Sequence, residues 1–119
     1  MQPLAIIYVD DESLALANFK STIAGHPSFE HLTLFSNSDE ALAHAKKQPI
    51  DIAFLDVDIP GTSGFILSEK LTALQPQIRV AFITGNVRYM GKHNQIVKAP
   101  YVFKPYCKDD ILDALSQLT

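Results

Sequence analysis

A few side chains in this sequence could do chemistry together. An acidic triplet, Asp10-Asp11-Glu12, follows the apolar run Ala5 to Val9, and Asp56 and Asp58 follow Ile50 to Leu55. Thr84 follows Val80 to Ile83, and Lys104, then Pro105, follows Tyr101 to Phe103. Carboxylates held close together repel one another by roughly 1 to 4 kcal/mol per pair at about 4 Å, so such a group needs cations. Lys104 is one. Asp10, Asp11 and Asp56 with Lys104 still leave two negative charges unbalanced, which a divalent ion cancels. Hard oxygen donors without His or Cys select Mg²⁺ over zinc. Such a site brings a phosphoryl group against a carboxylate oxygen, and Asp56, at the end of an apolar strand, is the best placed nucleophile. The Thr84 hydroxyl and the Lys104 ammonium would hold the phosphoryl oxygens. An aspartyl phosphate carries about −2 where the free carboxylate carried −1, a change that another protein can read.

These residues must be positioned by the elements before them. Strand-length apolar runs alternate with helix-length segments, the signature of a parallel sheet with crossover helices. The strands read as Ala5 to Val9, Leu32 to Phe35, Ile50 to Leu55, Val80 to Ile83 and Tyr101 to Phe103, each without the period-2 polarity of a half-exposed strand. Helices are expected over Ser13 to Ile23, from Ser38 as cap with Asp39 and Glu40 in the first turn, over Gly64 to Leu74, and over Lys108 to Leu118. A further helix within Val87 to Lys98 is expected to be short or mobile, because Gly91, His93, Asn94 and Gln95 interrupt its apolar stripe. In an open parallel sheet the ligand site lies beyond the carboxyl ends of the strands, where the acidic residues, Thr84 and Lys104 all fall.

The chain has 119 residues, 47% of them hydrophobic and 19% charged, which suits one globular domain over residues 1–119. Ten basic against thirteen acidic residues give a net charge of −3, the wrong sign for direct nucleic-acid binding. The single cysteine, Cys107, excludes an internal disulfide or a cysteine metal cluster and fits a reducing, cytoplasmic setting. Apolar runs of about five residues fall far below the roughly 20 needed to span a bilayer, so no membrane segment is expected.

Taken in order, these motifs resemble the response-regulator receiver domain of two-component signalling. The resemblance rests on Val9-Asp10-Asp11-Glu12, the segment from Phe54 to Gly64 around Asp56, Phe82-Ile83-Thr84-Gly85, and Phe103-Lys104-Pro105. It implies an α/β, flavodoxin-like fold: a doubly wound five-stranded parallel sheet in the order 2-1-3-4-5, with helices on both faces. It implies that Asp56 accepts phosphate from a histidine kinase or phosphotransfer protein. Asp11 and Asp56 would ligate Mg²⁺ through their side chains, Asp10 partly through water, and Asp58 through its carbonyl. Thr84 would move toward the phosphate, Tyr101 would turn inward, and the Lys104-Pro105 bond would be cis. Output would pass to a downstream protein target, through a relay, or through a segment beyond Thr119, from a monomer or weak dimer that contacts neither nucleic acid nor membrane.

Departures from the family pattern are Ile59, where Met is common, and the acidic Asp58, which with Asn86 occupies positions that tune phosphate lifetime. The segment from Thr84 to Lys104 departs from it too, so the output face is expected to be unusual. Asp56-Val57-Asp58 also resembles the nucleophile motif of haloacid dehalogenase-type phosphatases, although that motif normally follows the first strand of a longer chain. A pseudo-receiver scaffold is a second alternative. A flavin-binding flavodoxin-like domain is a third, opposed by the acidic triplet where a phosphate loop would lie. Acidic residues at a strand end are often only helix caps. The four histidines, at positions 26, 31, 44 and 93, lack metal-ligand spacing and are expected at the surface; Cys107 reads as a packed or idle thiol. Leu14, Ala17, Phe19 and Ile23 read as a core-facing stripe.

Overall fold

The five apolar runs become five parallel strands: β1 (Ala5–Val9), β2 (His31–Phe35), β3 (Ile52–Asp56), β4 (Arg79–Thr84) and β5 (Tyr101–Phe103), in the order β2-β1-β3-β4-β5. The computed structural model describes residues 3–91 and 97–119. Side chains alternate across each strand, so β1 sends Ile6 and Tyr8 into one layer and Ile7 and Val9 into the other. Helices α1 (Ser13–Thr22) and α4 (Lys108–Leu118) cover the first layer through Phe19, Ile111, Leu115 and Leu118. Helices α2 (Ser38–Ala45) and α3 (Gly64–Leu74) cover the second through Ala41, Ala45, Leu67 and Leu71. Burial on both faces is why β3 reads as continuous hydrocarbon up to Asp56.

The first layer is organised around Phe19, whose ring lies 4.5 Å from Tyr8, 5.4 Å from Phe54 and 6.0 Å from Phe29. Tilted and edge-on ring pairs at these separations add to the area they bury. The second layer is joined at its far end by a residue with no sequence signature. The Gln75 side chain donates to the carbonyls of Ala45 and Gln48 and accepts from the Ile50 N–H, tying the end of α3 to the turn between α2 and β3.

Several expectations need correction. Edge strand β2 does alternate: His31 and Thr33 are exposed while Leu32 and Leu34 pack on the core. In α1 only Phe19 and Ile23 of the expected stripe are buried; Ala17 is exposed and Leu14 is 82% exposed. At 3.6 residues per turn Leu14 sits five positions, or about 140° of rotation, from Phe19. Leu16, three positions before Phe19, packs on the core instead. Asn37, not Ser38, caps α2, its Oδ1 accepting from the Glu40 N–H. The element expected within Val87 to Lys98 is short, as anticipated: the described chain there forms a single 3₁₀ turn, Val87–Tyr89, and residues 92–96 lie outside the described residues. His31 is exposed, but His26 and His44 are half-buried against Phe29 and Phe35; His93 is outside the described residues. Cys107 is exposed at the head of α4 and its N–H donates to Asp110.

Candidate functional site

The strand ladders continue one step past their ends and so set the backbone of the site. The Asp10 N–H donates to Phe35 O at 3.1 Å, Val57 N–H to Ile83 O at 3.1 Å, and Lys104 N–H to Thr84 O at 2.9 Å. Asp10, Asp56, Thr84 and Lys104 are thereby brought to one rim by four neighbouring strands, and the Lys104-Pro105 bond is cis. Gly64 makes this possible on the α3 side. A Cβ at Gly64 would stand 2.3 Å from the Asp56 carbonyl oxygen, so only glycine lets the head of α3 close on the end of β3. Its N–H donates to Val57 O at 2.8 Å.

Carboxylate oxygens of Asp10, Asp11 and Asp56 lie within 4.8 Å of one another. Asp10 is fully buried, Asp56 nearly so, and Asp11 is exposed. Lys104 Nζ stands 2.9 Å from Asp10 Oδ2 and 3.9 Å from Asp56 Oδ2. Asp10 is no side-chain helix cap: its Oδ1 accepts the Glu12 N–H at 3.0 Å, and Glu12, at the head of α1, makes no side-chain cap bond. The Asp58 side chain is exposed and outside the cluster, while its N–H donates to Asp56 Oδ1 at 3.3 Å.

Burial, and then the Asp10 charge, push the Asp56 carboxyl up from 3.8 to about 7, against the opposing pull of Lys104. Burial pulls the Lys104 ammonium down, but its bond to Asp10 and the charges of Asp56 and Asp10 outweigh that and hold it above its ordinary value. The carboxylates are thus short of positive charge with Lys104 in place. An all-oxygen donor set, closely spaced and under-neutralised, fits Mg²⁺.

Thr84 is fully buried, its Oγ1 accepting the Asn86 N–H at 3.0 Å. Tyr101 is half-buried on β5 opposite Phe82, two positions before Thr84 on β4, and its hydroxyl donates to Val97 O at 2.9 Å. Sequence reasoning missed two residues here. In the sequence Gly64 reads as a helix start and as the end of the segment around Asp56, with nothing to show its close approach to the Asp56 carbonyl. Tyr8, fully buried, donates its hydroxyl to Asp10 Oδ2; strand period 2 was the available signal, because it places residues 8 and 10 on one face. A groove of about 750 Å³ between the end of α1 and β2, lined by Ile23, Phe29, Leu32 and Leu34 among others, includes none of these residues.

Residues 6–116 match the family model of the response regulator receiver domain. The chain belongs to that family. This receiver domain is 30% identical over 112 residues to the sensory transduction protein LytT of Enterococcus faecalis, covering 94% of the chain and 46% of the relative. It spans about half the length of the curated relatives it matches. Among solved structures it resembles the signal receiver domain of an HD domain-containing protein from Pseudomonas fluorescens, with TM-score 0.84 at 19% identity, covering 98% of this chain and 94% of that one. It also resembles a chain of the CheX-CheY-BeF₃-Mg²⁺ complex from Borrelia burgdorferi, with TM-score 0.81 at 19% identity, covering 98% and 89%. The fold is that of CheY-like receivers, and the family places the chain in two-component signalling. No helix among the described residues is long and apolar enough to cross a membrane.

Proposed function

We propose that residues 1–119 act as one phospho-accepting receiver domain in which Asp56 takes a phosphoryl group from a histidine kinase or phosphotransfer protein in the cytoplasm. An Asp56 carboxylate oxygen forms the bond to phosphorus as the bond from phosphorus to the donor nitrogen breaks, and the released imidazole takes up a proton. Asp11 and Asp56 would hold Mg²⁺ directly, with Asp10 beside them and the Asp58 backbone at the edge; the ion, when bound, supplies charge neutralisation between carboxylate and phosphoryl oxygens. Thr84 and Lys104 would take the phosphoryl oxygens. Tyr101 would then turn inward, and the surface around β5 and α4 would change what it offers to a downstream protein.

The observation that carries this reading is the meeting of Asp10, Asp11 and Asp56 within 4.8 Å, with Lys104 against Asp10 and Asp56. Membership of a signalling family supports it over a phosphatase built on the same Asp56-Val57-Asp58. The test is intact mass after incubation with Mg²⁺ and acetyl phosphate, and with a phosphorylated donor protein. Wild type is expected to gain one base-labile phosphoryl group and Asp56→Asn none. Equal gain by the Asn variant, or no gain by wild type from either donor, sinks the reading, and catalytic turnover of small phosphate esters favours the phosphatase.

A further inference from the structure

Tyr8 is a buried polar side chain at the site that the phosphoryl chemistry above leaves unused. Its ring packs on Phe19 at 4.5 Å, and its hydroxyl donates to Asp10 Oδ2. That same oxygen accepts Lys104 Nζ at 2.9 Å, while the other Asp10 oxygen is taken by the Glu12 N–H. Two side-chain donors therefore share one oxygen of a fully buried carboxylate. One of them, Lys104, is also the ammonium that a phosphoryl group on Asp56 would need, and it stands 3.9 Å from Asp56 Oδ2.

We propose that Tyr8 is a positioning residue that releases Lys104: its hydroxyl keeps Asp10 Oδ2 hydrogen-bonded, so that Lys104 can turn from Asp10 to the oxygens of a phosphoryl group on Asp56. This rests on the receiver reading. A buried carboxylate oxygen stripped of its donors is costly, whereas one that keeps a charge-assisted bond is not. With the hydroxyl present, Lys104 leaves Asp10 with Oδ2 still satisfied. Without it, Lys104 is the remaining side-chain donor to that oxygen and is held there. Tyr8 stays bonded whichever way Lys104 points, so its loss acts on the ammonium and not on Asp11 and Asp56, which would hold the metal.

Tyr8→Phe keeps the ring and removes only the hydroxyl. Calorimetric titration of the 119-residue chain, first with Mg²⁺ alone and then with beryllofluoride as phosphoryl stand-in at saturating Mg²⁺, separates the two ligands. The expected result is roughly a tenfold loss of beryllofluoride affinity, with Mg²⁺ affinity within about twofold of wild type. In a Lys104→Met background the same Tyr8→Phe change is expected to leave beryllofluoride affinity where the Lys104→Met protein has it. Unchanged beryllofluoride affinity, a parallel loss for both ligands, or an equal loss in the Lys104→Met background overturns the proposal. A wild-type chain that binds Mg²⁺ but no beryllofluoride overturns the receiver reading and this proposal with it.

Discussion

At the ends of β1, β3 and β5, Asp10, Asp56 and Lys104 are joined by charge, with Nζ 2.9 and 3.9 Å from the two carboxylates. At the neighbouring corner between β4 and β5, Tyr101 is surrounded by the rings of Phe82, Tyr89 and Phe103 at 5.4, 6.3 and 6.4 Å. Phe65, at the head of α3, reaches both Phe82 and Tyr89, so this packing extends back toward Asp56. The first region responds to charge: one added or lost unit alters every group in it. The second responds to shape, because rings at these distances tolerate small shifts and lose little when a single polar atom goes. Thr84, fully buried at the end of β4, pairs with Phe103 and so adjoins the second region.

This contrast predicts a ranking of substitutions. Lys104→Met leaves buried Asp10 and Asp56 facing each other uncompensated. It should cost about 3 kcal/mol in denaturant unfolding at neutral pH without metal, the low end for breaking a buried pair because Lys104 is partly exposed. Added Mg²⁺ should return part of that, and a loss that ignores Mg²⁺ would show that charge does not govern this region. Gly64→Ala forces a methyl against the Asp56 carbonyl and should cost about 2 kcal/mol, in the range for overpacking. It should also weaken Mg²⁺ binding, since the end of β3 must shift.

A pH series tests the same region more gently. The native Asp56 carboxyl, near 7, binds a proton that the unfolded chain has released above 3.8. Its contribution to stability is therefore complete below about 4 and is lost as pH rises through about 7. Metal-free protein should lose stability across that window, and Asp56→Asn should flatten the slope. An identical slope in the variant would assign the effect to other groups. The smallest effect belongs to the aromatic corner. Tyr101→Phe removes one hydrogen bond to Val97 and keeps the ring, and should cost only about 1 kcal/mol. A loss matching that of Lys104→Met would erase the distinction between the two regions.

Much of this was legible in the residues. Parallel strands buried on both faces must be short and apolar, so their ends announce themselves wherever a polar residue breaks the run, as at Asp10 and Asp56. The errors fell where local pattern and tertiary partner diverge. Leu14 is as apolar as Leu16, and only the rotation of α1 over the sheet decides which one meets the core. The segment after Thr84 is short of apolar stripe and long in Gly, His and Asn, and its described part makes one 3₁₀ turn.

The order of apolar runs and the residue types at their ends determined the element sequence, the acidic rim and the chemistry that a set of oxygen donors with one ammonium permits. Distances and donors were decided by tertiary structure alone. That Lys104 crosses 94 positions of sequence to rest on the Asp10 oxygen Tyr8 also uses, and that the head of α3 closes on the end of β3 only over a glycine, depend on how strands and helices pack. Composition specifies which groups exist, and the sheet register specifies which of them compete for the same atom.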